Sequence, residues 1–204
     1  MTSRHRATLP SGTSLGRPLP LRLLLAVAAS VAFSQFGASQ QNSTASGEIT
    51  PRGQREVSDV TYDGWKKLCF KPGGAPRLCR TSITGTFATG QMAIRVDIIE
   101  RGSEGASRLQ VFCPVGMYLQ NPVKLTIDQG ATFLVPYTWC LTNSCIAAAV
   151  AEPLLLKEMT AGRALRLEFV DSRLLSLVAT LPLSQFAIVY KSEPAHTFEQ
   201  DIDE

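Results

Sequence analysis

Five cysteines, two histidines and two tryptophans are the residues of this 204-residue chain with the most specialised side-chain chemistry. His5 stands near the start, which leaves His196 as the one histidine of the main body. It sits beyond Glu193 and Pro194 in an acidic end, where nothing holds a general base in a fixed geometry. A Ser-His-Asp triad would have to use it, so that route to hydrolysis is disfavoured. From residue 40 onward there is no G-x-S-x-G, phosphate-binding loop or G-x-G-x-x-G. Asp97, Glu100, Asp128, Glu168 and Asp171 are the acids from which a glycosidase-like carboxylate pair would be drawn. The alternation around them puts most on outward strand faces, where a solvated role is expected.

The cysteines carry more information. Five allow fifteen patterns of two bridges, and the local sequence narrows them. Cys140 and Cys145 flank Leu141-Thr142-Asn143-Ser144, a turn-forming run that brings the two ends together. Cys69 and Cys79 flank a reversal that includes Pro72, Gly73, Gly74 and Pro76. Closing that loop stabilises the fold by roughly 2–3 kcal/mol in the chain-entropy model. Cys113 shares a strand face with Leu109 and Val111 and is expected as a buried free thiol. The spacings of nine and four residues lack a second zinc-type pair, so no metal is expected, nor any cofactor. Trp65 precedes Cys69 by four residues and Trp139 directly precedes Cys140. Packing against a bridge is the expected role of both. The alternative is an aromatic binding platform, for which Trp65, Tyr118, Tyr137 and Trp139 are the candidates.

These residues need a scaffold, and the alternation of apolar and polar positions supplies it. Met92, Ile94, Val96 and Ile98 recur with period two, as do Leu109, Val111 and Cys113, and Val123, Leu125 and Ile127. Phe133, Val135, Tyr137 and Trp139 predict one further strand, Leu165, Leu167 and Phe169 another, and Leu175 to Leu181 the last. Turn formers divide these runs, which predicts an all-β domain, an antiparallel sandwich or barrel. Leu155, Leu156 and Met159, ahead of Gly162, predict a short helix over 152–161. Leu183, Phe186, Ala187 and Tyr190 predict a second, laid on the sheet.

The ends differ from this middle. Residues 1–39 hold Arg4, Arg6, Arg17 and Arg22, no acid, and the apolar run Leu23 to Phe33 before small residues. That layout is a secretory signal peptide, cut after Ser34 or Ser39, and the run is too short for a membrane span. No cysteine precedes Cys69, so a lipid-modified cysteine at the cut is not expected. Residues 40–56 read as a flexible linker, 57–191 as the β domain, and 192–204 as a frayed acidic tail. The formal charge of +3 belongs to the leader: without its four arginines the chain has 16 basic and 17 acidic residues. Nucleic-acid binding through bulk charge is therefore excluded. The basic residues Lys66, Lys67, Lys71, Arg77 and Arg80 around the first hairpin are expected to serve solubility.

In order and spacing the motifs resemble those of the invasion-associated locus B family of bacterial exported proteins. Trp65 to Cys69 opens the match, with the second cysteine at Cys79. Leu109 to Leu119 is similar to the family's L-x-V-x-x-P-x-G-x-x-L segment, followed by Leu125-Thr126-Ile127-Asp128. Pro136 to Cys140, then Cys145-Ile146-Ala147, resembles its proline–aromatic–Cys…Cys-x-Ala segment, and Leu183 to Phe186 its terminal helix. Ser144 and Gln185 stand where the family has glycine, and Cys113 is additional. The resemblance implies a periplasmic or envelope protein, named for host-cell invasion in some pathogens, and brings no catalytic residues. The expectation is thus an exported, non-enzymatic interaction protein whose partner is a protein of the envelope or of a host surface. The alternative is a periplasmic module that binds a small glycan or peptide.

Overall fold

The computed structural model describes residues 49–73, 75–102 and 105–200. The leader expected at 1–39 and the first part of the expected linker lie outside them. The strands are β1 (Gly53–Glu56), β2 (Val60–Tyr62), β3 (Lys66–Pro72), β4 (Leu78–Phe87), β5 (Met92–Arg101), β6 (Arg108–Cys113) and β7 (Val123–Ile127). They continue as β8 (Thr132–Val135), β9 (Tyr137–Cys140), β10 (Cys145–Val150), β11 (Ala164–Val170), β12 (Leu175–Pro182) and β13 (His196–Gln200). Helix α1 (Pro153–Ala161) precedes β11, and helix α2 (Phe186–Lys191) follows β12.

Two sheets result. One runs β1-β12-β11-β7-β8; the other runs β13-β3-β4-β5-β6-β10-β9, with β2 also paired to β4. They form a sandwich, because the alternation leaves each with one apolar face to hide. Leu125, Leu165, Leu167 and Leu181 come from the first sheet, Ile83, Val96, Ile98 and Val111 from the second, and all are fully buried in one core. Burial of each such side chain contributes about 1.5–3 kcal/mol. Leu155 and Met159 of α1 add to the same core. Gly162, the residue after α1, has to be glycine because a Cβ there would overlap the Ile127 side chain. Gly85 has a similar reason: a Cβ would stand 2.6 Å from Val60, so β2 could not lie on β4.

The structure departs from the sequence expectations at identifiable places. The stretch from Phe133 to Trp139 is two strands, because Pro136 has no N–H to continue a ladder. β8 stays with β7 in the first sheet and β9 joins β10 in the second. The expected linker and tail each contain a strand: β1 pairs parallel with β12, and β13 parallel with β3. The sandwich is therefore not purely antiparallel. The second helix begins at Phe186, since Leu183 is still part of the turn that closes on it.

Helix α2 is pinned by aromatic and polar contacts. Trp65 is 6% exposed, its indole N–H donates to the Pro182 carbonyl at 2.8 Å, and its ring meets Phe186 edge-on at 4.7 Å. Tyr190 stacks on Phe186 at 5.3 Å. Lys67 donates to the Tyr190 carbonyl at 2.8 Å and pairs with Glu100 at 3.4 Å.

Both bridges form as the turns predicted, Cys69–Cys79 and Cys140–Cys145, each between strand neighbours in register. Cys113 is a buried free thiol. It stands directly opposite Cys145 on β10, so three cysteines occupy one rung across β6, β10 and β9. Burial pushes the Cys113 thiol up to about 12. The buried Tyr137 hydroxyl finds no hydrogen bond of good geometry, and the polar group beside it is this thiol.

Two outcomes are expected. Replacing both Cys69 and Cys79 by Ala should cost about 3 kcal/mol in denaturant melts, and both Cys140 and Cys145 about 2 kcal/mol, since the second loop is shorter. A thiol reagent at pH 8 should leave the native protein unlabelled and modify one cysteine, Cys113, only after unfolding without reductant.

Candidate functional site

Side chains that the core does not use are placed by the same registers. On the outer face of the second sheet, Thr84, Arg95, Phe112, Ile146 and Trp139 share one rung. Ser82, Asp97, Gln110 and Ala148 share the next. Leu68, Arg80, Ile99, Arg108 and Val150 follow, and Phe70, Leu78 and Arg101 complete the face. Trp139 is 44% exposed, Val150 60%, Phe70 39% and, on β13, Phe198 50%. A groove of about 470 Å³ runs over Ile99, Gln110, Arg101, Arg108, Trp139 and Val150. A smaller one of about 250 Å³ lies over Leu68, Phe70, Arg80 and Phe198. Leu78 lines both, so the two adjoin.

Asp97 is the one acid on those four rungs. It faces outward, as the alternation requires, yet it is 1% exposed instead of solvated. Its carboxylate lies 3.1 Å from the Arg95 guanidinium, which also covers the Phe112 ring at 3.7 Å. Burial raises the Asp97 pKa, and the pull of Arg95 and Arg80 does not cancel that effect.

The remaining carboxylates are dispersed, each with a local task. Asp128 adopts φ 50° and accepts from the backbone N–H groups of Arg163 and Ala164. Asp171 accepts from those of Arg173 and Leu175. Glu168 pairs with Arg166 at 3.1 Å and Glu100 with Lys67. His196 is exposed on β13, its ring edge-on to Phe198 at 4.4 Å. Among the described residues no group of three His, Cys, Asp or Glu side chains gathers as a metal site would need.

The four candidate aromatics are scattered. Trp65 belongs to the core and presents no surface, and Tyr137 turns its hydroxyl inward toward Cys113. Tyr118 is half-buried and donates to Gln120 at 2.7 Å. Trp139 alone stands in a groove. Arg95, Arg101 and Arg108 were not among the candidate site residues of the sequence, and Arg80 was expected only to serve solubility. The signal was there: Arg80, Arg95, Arg101 and Arg108 all occupy the polar phase of a period-two strand.

A second concavity opens at one end of the sandwich. This cleft of about 450 Å³ has Phe87, Met117, Phe169 and Leu177 as walls and Arg55 and Asp59 among its polar lining. Asp59 holds φ 60° and accepts a hydrogen bond from the Ser58 hydroxyl at 3.1 Å. A cleft of this size and polarity is of the kind that holds small molecules.

The raised pKa of Asp97 has a definite sign. Its charged form is disfavoured by folding, so stability present below the ordinary value of 3.8 is lost as pH rises through the folded value. Thermal melts of the native chain and of Asp97→Asn should be most alike below that pH and separate above it, in the variant's favour. A variant that loses ground instead would show that the Arg95 pair outweighs burial.

Residues 65–194, from the start of β3 through α2, match the family model described as Invasion associated locus B (IalB) protein. No curated protein matches. The fold is similar to the crystal structure of invasion associated protein B from Bartonella henselae, with a TM-score of 0.56 and 19% identity. That likeness covers 64% of this chain and 90% of the other, and at such identity it bears on the fold alone. With the ordered cysteine and proline–aromatic motifs inside the matched span, the chain belongs to the invasion associated locus B family.

Proposed function

We propose that this protein is an exported, non-enzymatic contact protein of the bacterial periplasm or envelope. The observation that carries it is the outer face of the second sheet, where Phe70, Val150, Trp139 and Phe198 stay 39–60% exposed over adjoining grooves. Clustered exposed apolar side chains of this kind are the mark of a surface built for association. Export is supported by two disulfides, which persist in oxidising compartments, and by the leader-like residues 1–39. A non-catalytic role is supported by the carboxylates, whose hydrogen bonds and ion pairs hold turns and strands. In a pathogen the contact would extend to a host surface.

The end cleft favours a second reading, a module for a small apolar ligand with a polar end. The two readings separate in one experiment. A photo-crosslinking residue at Val150 and another at Met117 are introduced into the protein expressed in its native cell. Periplasmic or envelope recovery, with the leader removed and a defined protein joined at Val150, is the expected result. A small molecule captured at Met117 alone would transfer the function to the cleft. Recovery in the cytosol with the leader still attached and neither bridge formed would end both readings.

A further inference from the structure

Arg101 and Arg108 are exposed, lie in the same groove as Trp139, and form no ion pair among the described residues. Arg80 adds a third positive charge on the rung of Arg108. Asp97, the one acid on the four rungs of this face, is buried and engaged by Arg95. Beyond the leader the chain carries no excess of base over acid, so this is a segregation of charge, not a sample of the average surface. Desolvating unpaired guanidinium groups against a cationic or neutral partner is unfavourable, whereas carboxylates meet their planar donors two at a time.

Resting on the contact-protein reading, we infer that this groove docks an acidic segment of a partner protein. Two carboxylates would meet Arg101 and Arg108, and an adjoining apolar side chain would lie against Ile99, Val150 and Trp139. The sheet edge argues for a polypeptide as the occupant. β9, which carries Trp139, is the last strand of the second sheet, and its outer side has no strand partner among the described residues. Its free backbone N–H and C=O groups can hydrogen-bond to an extended chain beside the groove. A lipid headgroup or a glycan would leave that row without strand-like partners.

Short random peptides displayed on phage are selected against the folded protein. Enriched sequences should combine Asp or Glu with an aromatic or branched apolar residue. Joint replacement Arg101→Glu and Arg108→Glu should weaken the best such peptide by about tenfold or more. The same peptide with its acids changed to lysine should bind the double variant and not the parent. Trp139→Ala should weaken both pairs. Circular dichroism and thermal melting confirm the fold of each variant.

Enrichment of peptides without acids, or a charge swap that fails to restore binding, overturns the inference. So does binding of phosphatidylglycerol vesicles with no peptide selected. A partner joined at Val150 in cells together with any of those failures removes only the acidic-segment inference. Loss of the crosslink as well removes the contact reading.

Discussion

One apolar face of each sheet must be hidden against the other, and the remaining architecture follows from that requirement. Side chains alternate strictly along a strand, so once Val96 and Ile98 face the core, Arg95, Asp97 and Ile99 must face outward. A slip of one residue would drive Arg95 and Asp97 into the interior, at a cost no local contact could offset. The hidden faces thus fix the visible ones. The arginine-lined groove exists because the core leaves those positions no other direction.

This logic separates what could be read in the sequence from what could not. β5, β6, β7, β11 and β12 are legible because half of each strand is buried and its alternation is strong. β1 and β13 are not, because their residues are polar and mostly exposed, and each is held by backbone pairing to a distant partner. The break at Pro136 was visible as a residue type but needed the two-sheet arrangement to acquire meaning. The disulfides were legible because each closes a short loop with turn formers inside it. The burial of Asp97 was not, because alternation places it outward, and its cover depends on how Arg95, two residues earlier on β5, folds over it and on Arg80 reaching it from β4.

The three-cysteine rung shows how position governs reactivity. Cys145 lies between a bonded neighbour and a free one. Thiol–disulfide exchange needs a thiolate, and burial keeps the Cys113 sulfur beside this bridge protonated at ordinary pH. The pairing set when the chain oxidises is thereby preserved by the core that surrounds the third sulfur.

The two terminal strands have a bearing on how the protein can be handled. The span that matches the family model runs from residue 65 to 194, and β1, β2 and β13 all fall outside it. A fragment trimmed to that span would keep both bridges and most of the interior. It would also strip the flanking strands from β12, β3 and β4, leaving raw rims of unsatisfied main-chain groups. Such rims recruit whatever extended chain is at hand, a second copy of the fragment first of all. The polar, poorly patterned ends of this chain act as selvedges that keep the woven sheets from fraying into their neighbours.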